Sequence, residues 1–125
     1  MTTTTTTRNT PEQLMQAFND RFAARDLDGL ASLYEPDAVF RPEPGVVVEG
    51  IDAIRQALGA LFELNPTLEA TPTEVLHVGD IALVVNEWTM VGTAPDGSEV
   101  RKGGRSADVV RRQPDGSWLV LIDHP

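Results

Sequence analysis

The spacing of apolar residues along this chain changes once, from a helical period to an alternating one. From Leu14 onward, large apolar residues recur every four positions through Phe18 to Phe22, as on the buried face of an amphipathic helix. The preceding segment, 10–13, combines an N-cap threonine, a first-turn proline and a glutamine three residues on, which together form a capping box. The pattern therefore predicts a first helix of about sixteen residues that begins after Thr10.

Two more helices are predicted before the period changes. The second restarts at Asp28, carries apolar residues as far as Tyr34, and stops before Pro36, because the residue that precedes a proline avoids the α region. The third starts at Ile51, where apolar residues again fall at helical intervals, and it is closed off by Pro66. Between them, residues 38–41 and 46–49 are predicted to form two short strands around a Pro-Gly turn.

Beyond Pro66 the apolar period becomes two, which is typical of strands. Four strands are predicted, at 68–78, 81–93, 99–112 and 118–123, joined by turns that each contain adjacent Gly and Asp. Such turns favour a consecutive antiparallel meander, and helices followed by a meander predict an α+β fold with the helices on one face of the sheet. Both faces of 81–88 and of 118–122 carry bulky apolar residues, so we expect the uncovered face to form a homodimer through the sheet.

Length, charge and residue content limit the kinds of ligand and macromolecule that this chain is expected to bind. The 125 residues suit one domain, predicted at 10–125 after a polar, disordered arm at 1–9. A net charge of -9 disfavours nucleic acid and anionic membranes as partners. With no cysteine and two histidines, and with no nucleotide-binding or hydrolase motif, we expect no metal and no cofactor. The N-terminal residues do not look like a secretory signal, so a cytoplasmic protein is expected.

Four segments carry a resemblance to a known family: 33–40 (LYEPDAVF), 49–55 (EGIDAIR), 116–118 (GSW) and 123–125 (DHP). In this order the chain resembles the SnoaL-like family, in the superfamily of nuclear transport factor two and ketosteroid isomerase, over residues 10–125. The resemblance implies a cystatin-like cone, in which a curved antiparallel sheet wraps around the N-terminal helices and leaves an apolar pocket at its open end. This fold hosts isomerases, cyclases, epoxide hydrolases, dehydratases and plain binding domains.

Laid on the ketosteroid isomerases, the chain matches one of three functional positions in type. The position of the phenol donor falls on Phe18, and the base position falls near Pro42, with Glu43 beside it in a turn. The position of the buried acid falls on Asp108, which does match. The resemblance thus argues against steroid isomerisation in particular.

Asp108 is the first candidate for chemistry. It lies in mid-strand, with Ser106 and Val110 on its face. In an apolar cone its pKa would rise, which would make it a proton donor, or a base active near neutral pH. The alternative is a carboxylate that cross-strand partners satisfy at the margin of the sheet.

Asp123 and His124 end the last strand with side chains on opposite faces, so only one of them can enter a pocket directly. The resemblance implies that Asp123 lines the pocket, where two carboxylates would split their pKa values and one would stay protonated. His124 is a candidate base by its residue type. The alternative for both is a frayed terminus in water, and His77 is interpreted as a surface residue.

The bulky residues expected nearest the cavity are candidates for ligand binding, or else core residues: Phe18, Phe22, Tyr34, Phe40 and Trp88. The leading hypothesis is a pocket for a small apolar organic molecule. If the protein is an enzyme, the reaction is cofactor-independent isomerisation, cyclisation or dehydration, with Asp108 as acid or base and Asp123 or His124 assisting. The alternative is a non-catalytic ligand-binding or dimerisation module of the same fold.

Overall fold

The structure, a computed structural model, describes residues 7–125. Its helices are α1 (Pro11–Ala23), α2 (Leu27–Ala31) and α3 (Ile51–Leu61), which a 3-10 turn at Phe62–Leu64 follows. Its strands are β1 (Tyr34–Glu43), β2 (Val46–Glu49), β3 (Thr67–Val78), β4 (Ile81–Thr93), β5 (Glu99–Arg112) and β6 (Trp118–Asp123). The α+β fold predicted from the change of period is confirmed.

Helix α1 begins as its capping box predicts, with one difference. Oγ1 of Thr10 accepts a hydrogen bond from the backbone N–H of Gln13 at 3.1 Å. The Gln13 side chain reaches back one residue further than expected and accepts from the N–H of Asn9 at 2.9 Å. The helix has 13 residues, fewer than predicted, and Arg25 beyond it adopts a left-handed φ of 56°.

The second helix is shorter than predicted, and the assignment of Tyr34 to it was wrong. Helix α2 ends at Ala31, and Tyr34 already belongs to β1. The reason is a tertiary contact: the carbonyl oxygen of Leu33 accepts a hydrogen bond from the backbone N–H of Val120 in β6 at 2.7 Å. The chain therefore joins the sheet at Leu33, three residues before Pro36.

All six strands form one curved sheet in the order β2-β1-β6-β5-β4-β3. Strands β3 to β6 make the predicted antiparallel meander. The sheet is nevertheless mixed, because β6 is inserted beside β1 and runs parallel to it. The prediction of an antiparallel sheet was therefore wrong for the β1–β6 pair.

Helices α1 and α3 fill the inner face of the curved sheet. Its fully buried side chains come from both layers, among them Phe22, Leu30, Ile54, Val84 and Val110. Of the predicted arm, 1–6 lie outside the described residues, whereas the carbonyl of Arg8 accepts a hydrogen bond from the N–H of Trp118 at 2.8 Å. Within 7–125 there is no helix with the length and apolar content that a membrane crossing requires.

Candidate active site

A cavity of about 140 Å³ lies between α1, α3 and the inner face of the sheet. Its wall is largely apolar, and the five residues expected beside a ligand all line it: Phe18, Phe22, Tyr34, Phe40 and Trp88. Asp108, Asp123, Ser106 and Lys102 are the polar exceptions besides the Tyr34 phenol and the Trp88 indole. An apolar wall with a few convergent polar groups is the usual form of a small-molecule site.

Two strands bring the carboxyl groups of Asp108 and Asp123 together. Asp108 is on the inner face of β5, with Ser106 and Val110. Asp123 faces the same side because β6 contains an irregularity: Val120 pairs with Val110, but Ile122 pairs with Val109. One extra residue in β6 reverses the alternation there, as in a β-bulge, and turns Asp123 into the cavity.

Asp108 is held by hydrogen bonds from three elements. Its Oδ2 accepts from Nδ2 of Asn86 at 3.0 Å and, more weakly, from Oγ of Ser106 at 3.4 Å. Its Oδ1 accepts from the backbone N–H of His124 at 3.0 Å. Burial raises the pKa of Asp108, since only 6% of the residue is exposed, and these donors oppose part of that rise.

Asp123 lies between Tyr34 and Asp108. The Tyr34 hydroxyl donates to Oδ2 of Asp123 at 2.6 Å, and a second hydrogen bond joins the two carboxyl groups. Burial, together with the charge of Asp108, raises the pKa of Asp123 well above its usual range, and the phenol only partly offsets this. The two carboxyl groups therefore titrate as one coupled pair, and the pKa is raised more strongly at Asp123 than at Asp108.

The His124 side chain is not brought into this cluster. It is exposed, and only its backbone N–H contacts Asp108. Successive side chains of a strand point to opposite faces, so His124 points outward because Asp123 points into the cavity. Glu43 is likewise exposed at the end of β1, and Pro42 lines the cavity instead. His77 is exposed as predicted, with its ring 5.7 Å from that of Trp118.

A phenol lies at the acid pair, but it comes from β1 and not from α1, where the resemblance to ketosteroid isomerases placed the donor position. Phe18 offers only a ring, and Tyr34 at the start of β1 places its hydroxyl at the acid pair. Asn86 is a site residue that sequence reasoning missed. A hairpin centred on Asp96 pairs Asn86 with Ser106, so counting back from that turn would have placed it beside the acid.

Two buried polar atoms on the inner face of β4 find no hydrogen-bond partner among the described residues: Oδ1 of Asn86, beside Asp108, and Nε1 of Trp88, two residues further along. Buried donors and acceptors are normally paired, so such atoms mark places where a ligand can bond. Within 7–125 there is no cluster of three or more His, Cys, Asp or Glu side chains suited to a metal ion.

Comparison with known proteins agrees with this architecture. The model of the SnoaL-like domain family matches residues 15–120. Among curated proteins, none matches the sequence. Solved structures with the same fold include a ketosteroid isomerase-like protein from Erwinia carotovora atroseptica, with a TM-score of 0.78 and 19% identity. That match covers 90% of this chain and 88% of the other.

Two further structures are similar. A nuclear transport factor 2-like superfamily protein from Salmonella enterica has a TM-score of 0.78 and 18% identity, over 90% of this chain and 84% of the other. A protein from Novosphingobium aromaticivorans, described as having a cystatin-like fold, has a TM-score of 0.75 and 17% identity, over 90% and 75%. At such identities the likeness shows the fold alone.

Proposed function

Because this chain belongs to the SnoaL-like family, we propose that its cavity binds a small, largely apolar organic molecule and moves a proton on it without a cofactor. The fold serves many reactions, so the argument for this one comes from the site. The observation that carries it is a pair of adjacent carboxyl groups with raised pKa values, contacted by a phenol, in an otherwise apolar cavity.

The pair can serve as both base and acid. A C–H bond next to a carbonyl group of the bound molecule gives its proton to the negatively charged pair, and the electrons of that bond form an enolate. Once Asp108 has taken up this proton, the O–H of Asp123 turns from Asp108 to the enolate oxygen and stabilises it, as in an oxyanion hole. Return of the proton to another carbon completes an isomerisation, and departure of a neighbouring hydroxyl with a proton, as water, completes a dehydration. Asp108 and Asp123 act as one titrating unit in these steps.

The experiment is proton exchange on a simple ketone. With 2-tetralone in D2O, NMR measures how fast the protein exchanges the hydrogens next to the carbonyl. We expect Asp108→Asn and Asp123→Asn to lower this rate by about 100-fold or more, the usual contribution of a general acid or base. Asp37→Asn is the matched control, because Asp37 is an exposed carboxylate outside the cavity. Exchange that is equally fast in all three variants would contradict the proposal.

One observation favours a second function, ligand binding without catalysis. Both oxygens of Asp108 already accept hydrogen bonds from the protein, from Asn86 and from the backbone of His124, as a structural carboxylate would. A binding module would bind 2-tetralone with the same affinity in the wild type and in Asp108→Asn, and would exchange its hydrogens in neither. Measuring affinity and exchange on the same samples separates the two functions.

We also propose that the outer face of the sheet binds a second copy of the chain. One apolar row crosses five strands in register: Leu76 pairs with Leu83, Leu83 with Val109, Val109 with Ile122, and Ile122 with Val39. Leu76 and Ile122 are 53% and 40% exposed. A straight apolar row is self-complementary, so a two-fold axis through its middle would cover it on both copies.

A further inference from the structure

Two hydrogen-bond donors that have no partner among the described residues occupy neighbouring positions on β4 and β5, away from the carboxyl pair. Lys102 is the only lysine of the chain; its exposed side chain lines the cavity, and it forms no salt bridge within 7–125. Trp88 lines the same cavity, and its buried Nε1 has no hydrogen-bond partner among the described residues. Of the described residues that line the cavity, Lys102 alone carries a positive charge.

The strand register places these two donors side by side. Trp88 pairs with Gly104, and Met90, two residues further along β4, pairs with Lys102. A Cβ atom on Gly104 would lie 3.7 Å from Nε1 of Trp88, so the N–H edge of the indole lies over this glycine. Along β5 the order on the inner face is therefore the Lys102 side chain, the Trp88 N–H over Gly104, then Ser106 and Asp108.

The two ends of this row differ in charge. Asp108 is six residues from Lys102, so their Cα atoms are ~20 Å apart along the extended strand. The wall between them is mainly aromatic and aliphatic. A ligand that uses both ends must be elongated, apolar in the middle, and able to accept hydrogen bonds at the Lys102 end.

We propose that Lys102 and the indole N–H of Trp88 together bind a carboxylate of the cavity's ligand. The proposal rests on the proposed function, since it assumes an apolar molecule in this cavity, and it adds that the molecule is an organic acid. An ammonium group and an N–H that converge on one oxygen form charge-assisted hydrogen bonds, which are stronger than neutral ones. In a chain with a net charge of -9, an anion is bound only where such donors outweigh the general repulsion.

The test uses two probes that differ only in charge, 6-acetyl-2-naphthoate and 6-acetyl-2-naphthamide. Each carries a ketone for the acid pair at one end, and a carboxylate or a neutral amide at the other. Isothermal titration calorimetry gives the affinity of each probe. For the wild type we expect the acid to bind about tenfold tighter than the amide, as one hydrogen bond to a charged group allows.

Three variants locate the source of that preference. Lys102→Gln is expected to bring the ratio of the two affinities close to one. Arg105→Gln is the matched control: it removes one positive charge from the same strand, but Arg105 is exposed and does not line the cavity, so the ratio should be retained. Trp88→Phe keeps a ring and loses the N–H, so it should weaken binding of the acid more than of the amide.

The outcomes separate this proposal from the one on which it rests. Equal binding of both probes to the wild type, or the same ratio in Lys102→Gln as in Arg105→Gln, would overturn the carboxylate site and leave the apolar pocket standing. Failure of both probes to bind the wild type would overturn the pocket as well. A wild-type preference that is lost in Lys102→Gln, reduced in Trp88→Phe and retained in Arg105→Gln supports the site, whereas an unchanged ratio in Trp88→Phe would remove the indole N–H from it.

Discussion

The phenolic oxygen of Tyr34 lies 2.6 Å from Oδ2 of Asp123, although 89 residues separate them in the chain. The parallel pairing of β1 with β6 brings them together, since it sets Tyr34 opposite Val120 and Phe40 opposite Asp123. The phenol favours the charged form of Asp123, whereas Asp108 on its other side favours the protonated form. Tyr34 and Asp108 thus act on the pKa of Asp123 in opposite directions.

The first prediction concerns this hydrogen bond. Tyr34→Phe should raise the pKa of Asp123 still further, because the phenol donates to the carboxylate and so favours its charged form. Carboxyl NMR across a pH titration measures the change. The pKa of Asp96, which Ser98 lowers by donating to it on the surface, should not move. An unchanged or lower pKa of Asp123 in the variant would mean that the phenol does not act on it.

Much of the fold could be predicted because local signals and tertiary structure agree. The turn residues at 79–80, 95–97 and 114–116 place β4, β5 and β6 at the predicted bounds. Prediction failed at Leu33 and Tyr34, where the helical pattern continued but pairing with β6 prevailed. No local pattern reports which strand will lie beside β1, so the parallel pair was also missed.

The candidate site was predictable in its residue types and less so in its geometry. The alternation around Asp108 put Ser106 on its face, and the structure agrees. The extra residue in β6 that turns Asp123 inward leaves no mark in the sequence, because Leu121 and Ile122 are equally apolar. No local pattern indicates that Lys102 lines the cavity, because its place there depends on how the whole sheet curves.

The second prediction concerns stability and pH. Asp123 has a raised pKa in the folded state, so the native protein holds a proton that the unfolded chain releases near pH ~3.9. Its contribution to stability is complete below that pH and is lost as pH rises through the folded-state value. Asp123→Asn mimics the protonated form and does not titrate. Between pH 4 and 8, urea unfolding should therefore show the free energy of unfolding of the variant rising relative to that of the wild type. The rise should be about 1.4 kcal/mol for each unit by which folding raises the pKa of Asp123.

The same measurement could refute the raised pKa of Asp123. Asp108, whose pKa is also raised, contributes to stability with the same sign. If the free energy of unfolding of the wild type instead rises relative to that of Asp123→Asn as pH increases, Asp123 is charged in the folded state.

The third prediction has the opposite sign. Arg111 donates to Glu35 through Nε at 2.7 Å and lowers its pKa, so this pair stabilises the fold above pH ~4.3 and the contribution is lost as pH falls through the lowered value. Glu35→Gln should cost about 1 kcal/mol at pH 7, because Glu35 is buried although Arg111 is partly exposed. The difference between variant and wild type should shrink toward pH 3.

A matched control is the pair of Arg55 and Asp28, in which both side chains are exposed. Asp28→Asn should cost less than about 0.5 kcal/mol, as exposed pairs usually do. Equal losses for Glu35→Gln and Asp28→Asn would show that the burial of Glu35 adds nothing.

The fourth prediction compares two strand glycines. A Cβ on Gly92 would lie 2.9 Å from the carbonyl oxygen of Leu64, a backbone atom that cannot turn away. Gly92→Ala should therefore destabilise the fold by about 1–3 kcal/mol. Gly104→Ala places its methyl group in ordinary contact with Trp88 and should be neutral or slightly stabilising. Denaturant unfolding of both variants gives the comparison, and equal stabilities would exclude the clash at Leu64.

The fifth prediction tests the homodimer. Ile122→Lys places a charge inside the apolar row, where Ile122 pairs with both Val109 and Val39. In analytical ultracentrifugation we expect the wild type to be a dimer and this variant a monomer, since a buried unpaired charge is costly. Val78→Lys is the control: Val78 is 80% exposed, at the end of β3 and outside the row, so this variant should remain a dimer. A monomeric wild type, or an Ile122→Lys variant that stays dimeric, would show that this row is not the interface.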